Sequence, residues 1–217
     1  MDTLVPLGDQ AVLAYCADET VALLLAAAMR QANDPWLVDV VQAYTSVAVF
    51  FDLGRTNFQT VAERIRRLPP ADSQRVTGEL YRLPCCYELQ LDLERVVEQT
   101  KLPADEVIRL HSATEYTVYA IGFCPGFPYL GYLPTALCGV PRLETPRLRI
   151  QAGSVGLTGR QTGIYTEVRP GGWNIIGRTP LELDHVADCY FPLHTGDRVR
   201  FERIDETEFG RLRGQRL

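Results

Sequence analysis

Eleven of the chain's 17 glycines fall between Gly122 and Gly177. Punctuation at that rate breaks long helices and favours short strands joined by tight turns. The segments around and within this stretch are rich in β-branched and aromatic residues: Thr117–Ile121, Ser154–Leu157, Ile164–Val168, Trp173–Ile176, Leu181–Leu183 and Arg198–Phe201. Many short strands with frequent turn signals predict a barrel or a sandwich. From Arg142 to Arg178 the same stretch holds six Arg (142, 147, 149, 160, 169, 178) and two acids, Glu144 and Glu167, within a chain of formal net charge −5. Gly lets main-chain N–H groups approach a ligand, and Arg supplies forked donors for carboxylate or phosphate. A pocket for a small anion satisfies this pattern; so does a plain barrel with tight turns and surface Arg.

The first eighty residues have a different texture. Thr3–Pro6 and Ala11–Tyr15 read as short strands joined through Gly8-Asp9, and Thr20–Gln31 reads as a helix ended by Asn33-Asp34-Pro35. Leu37–Ala43 and Val47–Phe51 predict a hairpin, and Asn57 caps a second helix carrying Phe58, Val61, Ala62 and Ile65 at helical spacing. Two strands, helix, two strands, helix is satisfied by a helix-on-sheet layer. Pro69-Pro70-Ala71-Asp72-Ser73 then interrupts every periodicity, so the expected boundary divides a small α/β domain, 1–78, from a second domain, 79–217. A strand around Glu79–Pro84 precedes two short helices, one starting near Asp92 and one at Pro103.

Length and composition exclude several classes. The chain has 217 residues, 46% of them hydrophobic and 23% charged, as in ordinary globular proteins and unlike disordered ones. Its acidic balance argues against nucleic-acid binding through bulk charge. The longest apolar run, Val21 to Met29, falls short of the roughly 20 residues a bilayer requires. No basic start followed by an apolar stretch marks a signal peptide, and six Cys without a C-x-x-C pair (16, 85, 86, 124, 138, 189) fit reduced thiols, so a cytoplasmic protein is expected. His111, His185 and His194 lack metal-ligand spacing, and Asp184-His185 alone makes no triad. Cys124 is a nucleophile only with a base beside it, and the sequence names none. No P-loop is present, and Gly153, Gly156, Gly159 and Gly163 do not fit a dinucleotide fingerprint.

Four ordered blocks carry a resemblance. Ile121–Gly131 (IGFCPGFPYLG) is the first, and Thr145-Pro146-Arg147 the second. Gln151–Gly156 running on to Gln161–Tyr165 is the third, and Pro170–Trp173 with Ile176–Leu181 the fourth. Together with Pro6–Asp9, Leu110–Ala113 and Gly196–Phe201, they resemble the family of 5-oxoprolinase B subunits, also known as the KipI-like or allophanate hydrolase subunit 1 family. The resemblance covers essentially the whole chain. It implies an α+β protein, a small α/β N-terminal domain followed by a cyclophilin-like β-barrel. It also implies a cytoplasmic protein that works with two further 5-oxoprolinase subunits, a homologous one of type C and a separate one of type A. Together they would open 5-oxo-L-proline to L-glutamate at the expense of ATP.

That reaction relies on positioning and on neutralising transferred charge. Arg147, Arg149 and Arg178 are the candidates for gripping phosphate or the substrate carboxylate, with Gln161 and Tyr165 orienting the lactam. Gly126 and Gly153, Ser154 and Gly156 are expected to present main-chain donors, and Phe123, Phe127 and Tyr129 an apolar wall. Pro125, Gln151, Thr162, Gly163, Trp173 and Thr179 complete the expected substrate and ATP site. ATP enters as a substrate, with Mg2+ carried by it, and no protein metal site is expected. Cys124 stands where Ser or Thr is expected, and Arg160 where Asn is, which leaves substrate choice open. Two alternatives remain: a regulatory module of the KipI type that inhibits a sensor histidine kinase, and a component of an allophanate- or urea-related amidolyase.

Overall fold

The computed structural model describes residues 3–68 and 78–217, and the chain divides into two compact units, 1–77 and 78–217. The break expected over Pro69–Ser73 lies outside the described residues.

In the first unit, β1 (Thr3–Pro6), β2 (Ala11–Tyr15), β4 (Ser46–Phe51) and β3 (Leu37–Ala43) lie side by side in that order, all antiparallel. The β3–β4 hairpin turns over Tyr44 and Thr45, with Tyr44 in the left-handed region (φ 51°) that such a tight turn demands. Helix α1 (Glu19–Ala32) begins where the Asp18 carboxylate accepts the Val21 N–H at 2.8 Å, and α2 (Phe58–Arg67) begins where Asn57 accepts from Thr60. Ala22, Leu25, Ala26 and Met29 of α1 and Val61 and Ile65 of α2 share a buried core with Val12, Val47, Val49 and Phe51. This is the two-layer arrangement read from the sequence.

The second unit is a closed seven-stranded barrel. Its strands are β5 (Leu80–Cys86), β6 (Glu115–Ile121), β7 (Pro128–Gly131), β9 (Ser154–Thr158), β10 (Gln161–Ile164), β12 (Asn174–Arg178) and β13 (Arg198–Ile204). They run β6-β13-β5-β12-β9-β10-β7, and β7 pairs back onto β6 to close the ring. Every pairing is antiparallel except β13 with β5, which run parallel along their whole length. Leu83, Cys85, Val118, Leu130, Val155, Leu157, Ile164, Ile176, Val199 and Phe201 fill one core cluster, so the barrel is packed rather than hollow. Helices α3 (Leu93–Thr100) and α4 (Ala104–Ala113) bring Val96, Val107 and Ile108 to the same core. A separate two-stranded ribbon joins β8 (Arg147–Ile150) to β11 (Arg169–Gly171), and α5 (Glu206–Leu212) follows the last strand. The fold is therefore α+β with a barrel. No helix among the described residues is long and apolar enough to cross a membrane.

Three element predictions need correction. Ile164–Val168 is not one strand: β10 ends at Ile164 and the chain turns before β11, because Tyr165 leaves the ladder to accept the Gly153 N–H at its carbonyl. Leu181–Leu183 makes only an isolated bridge, Glu182 to Arg216. β7, β8 and β11 add three strands that the residue pattern does not announce; each is three or four residues long, and β7 is bounded by Pro and Gly, which erase the strand signal.

One polar chain crosses the barrel core. The fully buried His111 stacks on Phe201 with ring centroids 4.7 Å apart, receives the Tyr87 hydroxyl at Nδ1 (2.8 Å) and meets Thr162 Oγ1 at Nε2 (3.0 Å). The Thr162 hydroxyl donates to the Gly156 carbonyl, so it can only accept from His111, which assigns the proton to Nε2. Burial pushes the His111 pKa from 6.5 down to about 3. The folded state thus binds His111's proton less readily than the unfolded chain does. The associated stability is full above pH 6.5 and drains as the pH falls towards 3. Lowering the pH from 7 to 4.5 should cost about 2–3 kcal/mol from this group alone. Urea unfolding of wild type and of His111→Phe checks it, since the variant's stability should fall less over that interval.

Candidate functional site

Two hollows open in the barrel unit on either side of one loop. The loop, Gly122–Phe127, is held by Cys124 N–H on the Gly122 carbonyl (2.9 Å), Gly122 N–H on that of Phe127 (3.1 Å) and Phe127 N–H on that of Cys124 (3.2 Å). The first of these closes a three-residue turn centred on Phe123, whose φ of 70° is the costly form of such a turn for a side chain. The outcome is an aromatic ring 59% exposed at the mouth of a hollow.

That hollow, of about 100 Å3, is lined by Phe123, Phe127, Tyr129, Tyr165, Trp173, Gly171, Gly172 and Arg142. Its rings meet edge to face: Phe127 lies 5.3 Å from Tyr165 and 5.6 Å from Trp173, at interplanar angles of 84° and 86°. Gly163 makes the packing possible, since a Cβ there would come within 2.8 Å of the Pro128 carbonyl oxygen and 3.0 Å of Trp173. Burial raises the Tyr129 phenol and pushes that of Tyr165 up to about 12, so both are neutral near pH 7. Arg142 supplies the fixed charge of this hollow, and no acid among the described residues pairs with it.

The second hollow, of about 250 Å3, lies among Ala152, Gly153, Thr166, Arg178, Thr179, Leu181, Asp184, Phe209, Arg213 and their neighbours. Arg178 is anchored by Nε on the Ala152 carbonyl at 2.8 Å, and burial, then Arg213, lower its pKa. The loop lines the first hollow and packs behind Asp184 of the second. Phe123 and Phe127 face the first, whereas a Cβ on Gly126 would lie 3.0 Å from Cβ of Asp184 in the second. Cys124 is buried between, 3.5 Å from Thr166 Oγ1, and no histidine or carboxylate hydrogen-bonds it among the described residues.

The expected single cradle is thus divided. Phe123, Phe127, Tyr129, Tyr165 and Trp173 come together in one hollow; Gly153, Arg178 and Thr179 come together in the other. Arg147 belongs to neither. Its two terminal nitrogens grip Asp92 at 2.6 and 2.9 Å, so it holds the β8–β11 ribbon to the barrel. Arg149 is exposed on β8, and Gln151 is exposed beside it. Gln161 starts β10 at the far end from Tyr165, roughly 13 Å away at strand rise. Thr162 is fully buried with its hydroxyl committed to His111 and Gly156.

The glycine stretch is not an anion nest either. Gly153 N–H donates to Tyr165, Ser154 N–H to Gln151, and Gly156 and Gly163 are partners within the β9–β10 ladder. Gly153 has a φ of 81°, and a Cβ there would sit 2.2 Å from the Thr179 carbonyl oxygen. Its role is close backbone approach. Pro125 is exposed and accepts the Thr166 hydroxyl at its carbonyl, 2.7 Å away. Sequence reasoning misses Asp184 and Arg213, and it counts Arg142 among the six Arg of the anion-pocket pattern but gives it no site role. Arg142 lies outside every quoted block, Asp184 shows only as half of an unconvincing Asp-His pair, and Arg213 is a charge in a basic tail.

Known proteins share this barrel. Residues 3–188 match the family described as carboxyltransferase domain, subdomain C and D. A Bacillus subtilis protein, named as the B subunit of 5-oxoprolinase, is 34% identical over 94% of this chain and 93% of its own length. The chain belongs to the family of 5-oxoprolinase B subunits. Among solved structures, TTHA0988 is 32% identical with a TM-score of 0.81, and the match covers 91% of this chain but 40% of that one, so the chain spans well under half of that structure. The Kluyveromyces lactis urea amidolyase shares the fold, with a TM-score of 0.73 at 17% identity over 97% of this chain and 15% of its own. In this member of the family, three of the motif blocks wall the aromatic hollow, Ile121–Gly131, the third block through Tyr165, and Pro170–Trp173, whereas Thr145–Arg147 secures the ribbon beside it.

Proposed function

We propose that the chain is one component of an ATP-dependent amidolyase that opens 5-oxo-L-proline to L-glutamate, and that the aromatic hollow receives the lactam. The observation that carries this reading is a ring-sized, aromatic-walled hollow whose fixed charge is a guanidinium with no acid paired to it among the described residues. A five-membered lactam with one carboxylate matches it: the ring packs on Phe127, Tyr129 and Trp173, and Arg142 takes the carboxylate. The relatives named as B subunits of 5-oxoprolinase support the assignment to an amidolyase-type complex.

The lactam carbon resists attack because amide resonance feeds it electrons. Transfer of the γ-phosphoryl group of ATP to the lactam oxygen removes that protection. Water then adds to the carbon, the C–N bond breaks with a proton passing to nitrogen to leave an acyl phosphate, and a second water hydrolyses that acyl phosphate to L-glutamate and phosphate. The chain's contribution is to bind, orient and dry the lactam; the buried rings exclude competing water.

Neither hollow described above suits ATP. The first hollow is too small for a nucleotide, and in the second the buried Asp184 carboxylate faces any polyphosphate that Arg178 and Arg213 attract. Among the described residues no three His, Cys, Asp or Glu gather to hold Mg2+. We therefore place ATP and its Mg2+ at a site completed by the type C and type A partners.

Co-purification with those two partners, followed by ADP release coupled to 5-oxoproline, tests the reading. The complex should turn over 5-oxoproline and the isolated chain should not. Release of ADP with urea-derived amides instead of 5-oxoproline would overturn the substrate.

A further inference from the structure

The second hollow contains a charge arrangement that the lactam reading leaves unused. Asp184 lines it while only 9% exposed, and no hydrogen bond or ion pair to its carboxylate is present among the described residues. Its carboxylate oxygens open onto the hollow without a hydrogen-bond partner, and burial, then Glu167 and Glu182, raise its pKa against the opposing pull of His185 and Arg169. Facing the same space are Arg178, whose terminal nitrogens make no hydrogen bond or ion pair among the described residues and whose guanidinium lies 5.8 Å from the Phe209 ring centroid, and Arg213, which makes no hydrogen bond or ion pair there either. Glu182 is paired with Arg216, whose Nε donates to it at 3.2 Å and whose terminal nitrogen also pairs with Asp188. What remains is two guanidinium groups and one carboxylate around a space of about 250 Å3.

Few small ligands satisfy all three. A phosphate or simple dicarboxylate pairs with the arginines and leaves Asp184 repelled; a simple amine does the reverse. We infer that this hollow binds a dicarboxylic α-amino acid as its zwitterion, with the ammonium on Asp184 and the two carboxylates on Arg178 and Arg213. Such a ligand carries one net negative charge against the one net positive charge to which Arg178, Arg213 and Asp184 sum, so these contacts are balanced once it is bound. L-Glutamate is the ligand of this class that the proposed reaction releases, and the choice of glutamate within the class rests on that reaction. The hollow then retains the product one loop away from the lactam.

The test uses the purified full chain and four titrants followed by calorimetry: L-glutamate, glutarate, L-alanine and 5-oxoproline. Wild type should bind L-glutamate saturably and more tightly than glutarate or L-alanine. Asp184→Asn should weaken L-glutamate by about tenfold or more, leave glutarate unchanged or tighter, and leave 5-oxoproline unchanged because the lactam nitrogen is uncharged. Arg178→Gln should weaken L-glutamate and glutarate alike, and it keeps the proposal testable if Asp184→Asn does not fold. Absence of saturable L-glutamate binding to wild type, or an equal loss of L-glutamate and glutarate in Asp184→Asn, would overturn the inference. Neither result touches 5-oxoproline turnover, and failure of that turnover leaves the binding preference standing.

Discussion

Asp92→Ala should destabilise the chain by about 3 kcal/mol, the largest loss expected from any single polar substitution in the barrel unit. Asp92 is 6% exposed and has three donors: both terminal nitrogens of Arg147 and the buried Ile175 N–H at 2.7 Å. Its own N–H donates to the Ile175 carbonyl at 2.9 Å, so the start of α3 is laced to β12 from both sides. Removing the carboxylate strands a half-buried guanidinium and a buried amide together. Arg147→Ala should lose a comparable amount by leaving Asp92 alone in the interior. Equilibrium urea unfolding of the two single variants and the double variant measures the pair. The double variant should be clearly more stable than the summed single losses predict. In an ATP-coupled assay well below the unfolding midpoint, Arg147→Ala should change kcat/KM little, because its guanidinium serves the ribbon and not a ligand.

Arg142→Ala should behave in the opposite way. Arg142 is exposed and makes no ion pair among the described residues, so its loss should shift stability by no more than about 0.5 kcal/mol. In the reconstituted complex, however, kcat/KM for 5-oxoproline should fall about 100-fold, because no second cation in that hollow can take the carboxylate. Arg142→Lys should recover part of the loss, as a point charge replaces a fork. The contrast between the two arginines follows from partners, which a sequence does not display.

How far the residues alone reach can be seen at particular places. The cap at Asn57 and the helix end at Asn33 are local, and each appears in the chain where its residue type predicts it. The cap at Asp18, by contrast, sets the first helix one residue earlier than the Thr20 start read from the sequence. The barrel too is legible, because closely spaced turns leave short strands few other solutions. The division of the site into two hollows is not. It depends on where Asp92 and Asp184 sit, 55 residues before Arg147 in one case and six after Arg178 in the other. The glycines mislead for a related reason. Gly153 and Gly163 are needed for close approach of a carbonyl and of rings, and that demand looks in sequence like a ligand cradle. Asp184-His185 offers no catalytic pattern in sequence, yet burial without a partner is what distinguishes its carboxylate.

The aromatic hollow as the lactam's seat is most directly tested by the fluorescence of Trp173, a wall residue only 5% exposed, as 5-oxoproline is added to the purified chain. Trp36→Phe removes the other tryptophan and makes the signal specific. The account predicts a saturable change with 5-oxoproline that is lost in Arg142→Ala and absent with 2-pyrrolidone, the same ring without its carboxylate. A saturable change that survives Arg142→Ala unaltered, or none at all with 5-oxoproline, would contradict it.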